Sequence, residues 1–210
     1  MTTCSTMWYK IARYLCRVSC LIFLNYRLYG VRRLPRRGGV LLAANHQSYL
    51  DPVLFAIGLP RPLHFMARDS LFRNPLFGLL IGSLNAFPVR RGGADRRAVR
   101  HALELLKAGE VVLMFPESTR TMDGTIGNPQ GGLSMIAARA GVPIVPAAVE
   151  GAFQAWPRYR LLPHPARVRA HLGRALYPAD FSALSHKETA ALLKERLLEL
   201  QGALASKPNL

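Results

Sequence analysis

Three short stretches hold the residues best suited to chemistry: NHQSYLDP (Asn45–Pro52), FPVRR (Phe87–Arg91) and FPESTR (Phe115–Arg120). The first sets a histidine, His46, five residues ahead of an aspartate, Asp51. A neutral imidazole can take a proton from a weak nucleophile near pH 7. A carboxylate on its other ring nitrogen orients it and stabilises the imidazolium. The spacing does not by itself establish such a pair, because His64 also stands five residues ahead of Asp69, in HFMARD. Five residues turn a helix by ~140° net, so the chain must bend between histidine and aspartate if they are to touch. Asp51-Pro52 also has the form of a helix start, with Asp51 as N-cap and Pro52 as the first helical residue. Both roles are compatible, since a carboxylate has two oxygens.

The other two stretches carry arginines. Arg90 and Arg91 follow one short apolar run, and Glu117 and Arg120 follow another. Guanidinium forks match phosphate oxygens, so two such ends near a histidine would form a phosphate site. In a chain this basic, solvated surface is the competing explanation for any one of them.

What must position these residues is an alternation of strands and helices. VLLAA (40–44), a possible strand at 63–67, NAFPV (85–89), VVLMF (111–115) and PIVPAAV (143–149) have the form of strands, and RVRAHL (167–172) alternates as a half-exposed one should. Pro88 predicts that the third sits at an edge or ends early. Helices are expected at 52–58, over 69–83 with Pro75 dividing it, at 95–108 closed by Gly109, and at 132–140 closed by Gly141. A last helix opens with a Ser185/Glu188 capping box and carries Leu193, Leu197, Leu200 and Leu204 inward. This order predicts a single α/β domain with a largely parallel sheet flanked by helices. His46, Arg90 and Glu117 then all follow strand C-termini, where open α/β sheets bind their ligands.

The 210 residues carry 28 Lys and Arg against 12 Asp and Glu, a net charge of +16. Such a balance attracts a polyanion: nucleic acid, an anionic membrane or an acidic protein. There is no RNP-like pattern, helix-turn-helix signature or zinc spacing, which sets nucleic acid aside. The three cysteines, Cys4, Cys16 and Cys20, are expected off the core, form neither a disulfide framework nor a CxxC pair, and have the form of small apolar fillers. From Met7 to Gly30 a helical wheel gathers Trp8, Ile11, Leu15, Val18 and Ile22 in one stripe, with Lys10, Arg13 and Arg17 on another. That is the pattern of a helix lying in a membrane interface, and a packed surface helix is its alternative. The apolar run between Arg17 and Arg27 is about half the ~20 residues of a span. The expected division is residues 1–30 as a membrane-interface helix and 31–210 as the catalytic domain.

NHQSYLD, then ARDSLFRNPLFG with NAFPVRR, then FPESTR, then VPIVPAAV occur in that order. This four-block pattern resembles the glycerolipid acyltransferases over roughly residues 30–175, most closely those acting on 1-acylglycerol-3-phosphate. The resemblance places the catalytic pair on His46 and Asp51, not on His64 and Asp69. It implies that Arg91, Glu117, Ser118, Thr119 and Arg120 bind the phosphate-bearing acceptor. It further implies an acyl-CoA or acyl carrier protein thioester as donor, no metal or cofactor, and a place on the cytoplasmic face of an anionic membrane. The alternative to this lyso-phospholipid acceptor is another lyso-lipid, such as a lyso-ornithine lipid or lysophosphatidylethanolamine. A membrane-bound relative without activity is the reading from another class. The chain departs from the pattern where Ser118 and Asn85 replace glycines, where only Arg68 of a usual lysine-rich stretch is basic, and where a usual lysine before the small-residue helix is missing, with Gln130 nearby instead.

Overall fold

A computed structural model describes residues 3–90 and 95–206, with side chains from Met7 onward. Its elements run α1 (Thr3–Leu24), β1 (Arg27–Tyr29), β2 (Val40–Ala44), α2 (Asp51–Gly58), β3 (Leu63–Arg68), α3 (Pro75–Ser83), β4 (Ala86–Val89), α4 (Arg96–Lys107), β5 (Val111–Met114), α5 (Gly132–Ala140), β6 (Ile144–Glu150), α6 (Ala152–Ala155), β7 (Arg169–Leu172), α7 (Pro178–Phe181) and α8 (His186–Ala205). The strands form one sheet in the order β1-β7-β6-β2-β5-β3-β4. Every neighbouring pair is parallel except β6 with β7. The expected architecture is therefore present, with β1 and β7 reversed at one edge and the proline-bearing β4 at the other.

Strand alternation sorts the core into two layers. Val40, Leu42, Val111, Leu113, Val145 and Val149 pack with Leu54 and Phe55 of α2 and with Cys20 and Leu24 of α1. Leu41, Ala43, Val112, Met114 and Ile144 face α4, α5 and α8 instead. Because β2 has strands on both sides and helices on both faces, all five of its residues are buried. The same reason explains its uninterrupted apolar run.

Local signals set most boundaries. Pro75 begins α3 and separates it from a short 3-10 turn at Asp69–Phe72. Asp95 caps α4 through the N–H groups of Arg97 and Ala98. Both halves of the Ser185/Glu188 box are made.

Three expectations change. The first helix ends at Leu24, and Arg27–Tyr29 pairs with β7 as the edge strand, although helix was expected through Gly30. Three residues are too few for a periodicity to show. The strand at 167–172 is shorter, and Ala170, His171 and Leu172 are all buried, so it is not half-exposed. Ala170 and Leu172 join the core on one face and α8 packs against the strand, with Arg169 donating to the Leu204 carbonyl, so no alternating solvent face is left. Cys20 sits in the core, with Cys16 packed against it, as apolar fillers rather than off-core residues.

Within α1, Tyr9, Cys20 and Leu24 turn inward, and the Tyr9 hydroxyl accepts the Leu63 N–H at 3.1 Å. The stripe of Trp8, Ile11, Leu15, Val18 and Ile22 stays exposed. Among the described residues, no helix is long and apolar enough to cross a membrane.

Candidate active site

Parallel pairing aligns Ala43 of β2 with Met114 of β5 and Ala44 with Ala147 of β6. The residues after each strand consequently meet at one edge of the sheet. Asn45 fixes the turn there: its side-chain amide donates to the Val149 carbonyl at 3.0 Å, and its oxygen accepts the Val149 N–H at 2.7 Å.

The next residue is His46. Its Nδ1 lies 2.8 Å from Oδ2 of the fully buried Asp51. An ionised carboxylate only accepts, so Nδ1 carries the hydrogen and Nε2 is the basic nitrogen. One face of the ring stacks on Phe115, centroids 3.8 Å apart and planes 12° from parallel. The hydrogen bond and the stack together leave the ring one orientation. The side chain retains 15% exposure, an opening for a substrate.

Asp51 Oδ2 also accepts the backbone N–H groups of Gln47 at 2.6 Å and Ser48 at 2.8 Å. Both donors precede Asp51, so the carboxylate folds back and closes the bend the spacing demands. The helix itself begins at Asp51, with Leu50 at the N-cap and no side-chain cap. The N-cap expectation is thus corrected: Asp51 is the first helical residue, one position past the cap, and its carboxylate folds back onto the preceding turn. Oδ1 is buried without a partner among the described residues. The second pair does not form. His64 lies 3.8 Å from Glu110, and Asp69 accepts the adjacent Ser70 N–H.

Glu117 is buried and spends both oxygens on backbone. Oε1 accepts the His46 N–H at 3.0 Å, and Oε2 accepts the Gly127 N–H at 2.9 Å. Burial raises its pKa, and the two N–H bonds oppose that rise. It braces the histidine turn from the neighbouring strand end. The Thr121 N–H does the same by donating to the His46 carbonyl at 2.8 Å.

Ser118 and Thr119 are exposed. Ser118 holds φ at +59°, and Asn85 holds +68°. Both replaced glycines thus fall in the left-handed region, where glycine is the unstrained residue and asparagine the better-tolerated substitute. Arg120 lies with its guanidinium carbon 3.4 Å from the centre of the Tyr49 ring. One of its terminal nitrogens is buried with no partner among the described residues. Tyr49 also meets Trp156, ring centres 5.4 Å apart, and the Ser48 hydroxyl donates to the Trp156 carbonyl at 2.8 Å. Arg91 lies outside the described residues. Arg90 is exposed, and its N–H donates to Asp95 at 2.9 Å.

Sequence reasoning missed the aromatic members Tyr49, Phe115 and Trp156. Tyr49 and Phe115 stand inside the quoted motifs, where an aromatic beside a charged residue was a usable signal. Trp156 had none, since it ends the short α6 after β6, far from the motifs in sequence.

A buried carboxylate bonded to a histidine at the C-terminal edge of a parallel sheet is an arrangement suited to general-base chemistry. A family model described as Acyltransferase matches residues 25–150. The 1-acyl-sn-glycerol-3-phosphate acyltransferase of Bacillus subtilis is 31% identical over 183 residues, 85% of this chain and 89% of that one. The lyso-ornithine lipid O-acyltransferase of Pseudomonas aeruginosa is 35% identical over 115 residues, 54% of this chain and 43% of its own. The crystal structure of the 1-acyl-sn-glycerophosphate (LPA) acyltransferase PlsC from Thermotoga maritima superposes with a TM-score of 0.84 at 25% identity, covering 100% of this chain and 86% of that one. The chain belongs to the acyltransferase family.

Proposed function

We propose that the protein moves a fatty acyl group from an acyl-CoA or acyl carrier protein thioester to the 2-hydroxyl of 1-acylglycerol-3-phosphate, giving phosphatidic acid. The observation that carries this is the His46–Asp51 bond at 2.8 Å beside an arginine with an unpartnered buried nitrogen. His46 Nε2 takes the acceptor's hydroxyl proton, and the oxygen attacks the thioester carbonyl. A C–O bond forms, the tetrahedral oxyanion collapses, and the C–S bond breaks. The imidazolium returns its proton to the departing thiolate. Asp51 holds the tautomer and the charge that appears on the ring. Arg120, Arg91 and the exposed Ser118–Thr119 loop receive the acceptor's phosphate, with Glu117 shaping the turn from beneath. The work takes place at an anionic membrane surface, on its cytoplasmic face, with the exposed stripe of α1 in the interface.

The 35% identity to a lyso-ornithine lipid O-acyltransferase favours one second reading, a zwitterionic lyso-lipid acceptor. A thiol-release assay with long-chain acyl-CoA and 1-acylglycerol-3-phosphate, lyso-ornithine lipid or lysophosphatidylethanolamine separates them. The proposal expects the phosphate acceptor to be used best. A higher kcat/KM for lyso-ornithine lipid would replace it, and no thiol release with any of the three, from either acyl-CoA or an acyl carrier protein thioester, would reject acyl transfer to lyso-lipids.

A further inference from the structure

Helix α3, PLFGLLIGS, contains no charged residue and buries none of its nine. Leu76 is 80% exposed and Leu79 73%, with Phe77 and Leu80 exposed beside them. A water-soluble surface rarely presents so many large apolar side chains together. The exposed stripe of α1 is tied to it, because the Trp8 indole N–H donates to the Ser83 hydroxyl at 3.0 Å, at the last residue of α3. Two apolar surfaces are thus joined at one point.

Charge selects the occupant. The first 94 residues carry two acids, Asp51 and Asp69, against thirteen lysines and arginines. Asp51 is fully buried. Arg68, Arg73 and Arg90 flank α3 in sequence, Lys10 and Arg17 lie on α1, and all five are exposed. An apolar face rimmed by cations, with almost no anions in the same half of the chain, fits the headgroup–acyl boundary of an anionic bilayer.

We propose that α3 is a second lipid-inserting element, which with α1 seats the molecule in one leaflet of an anionic membrane. This extends the reading that the substrate is a lipid and gives the lipid-facing side two anchors instead of one. Leu76 and Leu79 enter the acyl region, Trp8 sits at the joint, and the flanking arginines meet the headgroups.

The test uses the full chain with phosphatidylcholine vesicles, with and without phosphatidylglycerol. Leu76→Asp/Leu79→Asp is expected to lower partitioning onto the anionic vesicles by about tenfold or more. Leu198→Asp, on exposed α8 surface, is expected to leave it unchanged. A second variant, Leu79→Trp, is expected to gain fluorescence quenching by brominated lipid above that of the parent protein. Acyl transfer to a short-chain acceptor dispersed as monomers reads the reaction separately and should survive the double substitution. Wild-type partitioning by the double variant, or no added quenching of Leu79→Trp, overturns the proposal. So does a concentration-dependent dimer that the double variant abolishes, since a second copy would then cover α3. Loss of vesicle binding without any acyl transfer by the parent protein would reject the substrate reading and leave the α3 assignment standing.

Discussion

At the scale of single residues, the site is a histidine whose ring is held twice, by Asp51 and by Phe115. Replacing His46 with alanine should lower kcat on the order of 10²–10⁴-fold, the usual contribution of a general base. His64→Ala should retain most activity, because its neighbour is the half-exposed Glu110 and not Asp69. Steady-state thiol release with both variants checks this, and equal losses would refute the assignment. Tyr49 gives a finer test. Its ring carries the Arg120 guanidinium, so under the proposed function it positions the group that receives the acceptor's phosphate. Tyr49→Ala should cost roughly 1–2 kcal/mol of acceptor binding, about five- to thirtyfold in KM, with kcat nearly retained and Tyr49→Phe close to wild type. Ser118→Gly relieves a left-handed backbone at φ +59°. Thermal unfolding should show it more stable by up to about 1 kcal/mol.

At the scale of elements, neighbouring residues of one helix have opposite work. Leu24 belongs to the core at the end of α1, whereas Ile22, two residues earlier, is 72% exposed. Leu24→Ala should cost about 2–5 kcal/mol in urea unfolding, and Ile22→Ala less than about 0.5 kcal/mol. Removing residues 1–30 is therefore a poor test of membrane contact, since it takes β1 and part of the core with it. The strand ends divide their labour similarly. β6 receives the Asn45 amide, and the segment after β5 supplies Phe115 beside the ring and Glu117 beneath the turn.

At the scale of the molecule, charge is unevenly spread, with ten of the 12 acids beyond residue 94. Long-range attraction to anionic vesicles should weaken as salt rises, since a Debye length of roughly 10 Å at 0.1 M shrinks to about 3 Å at 1 M. Sedimentation across a salt series should show that decline, with a residual bound fraction from apolar contact. Burial has a pH consequence as well. It lowers the pKa of His64 below its usual 6.5, so the fold favours the neutral ring. That contribution is present above pH 6.5 and is lost as pH falls through the lower folded value. His64→Gln should flatten the decline in urea stability just below pH 6.5.

The sequence by itself determined the alternating elements, the glycine that closes α4, the Ser185/Glu188 cap of α8 and the motif that holds His46. Those signals are local: apolar periodicity, proline geometry and side chains that bond the nearest N–H groups. It also placed Ser118 and Asn85 as departures from a pattern, without the reason. Only the tertiary structure decided that reason, a left-handed backbone at both positions. It decided too that Asp51 closes the turn rather than capping the helix, that Glu117 braces the His46 backbone, and that Trp156 reaches Tyr49. The last two depend on which strand ends become neighbours. Parallel pairing brings together residues far apart in the chain, and no local spacing encodes that. NHQSYLDP and HFMARD share a spacing. The first follows a strand buried in the middle of the sheet, and its carboxylate finds three N–H groups there.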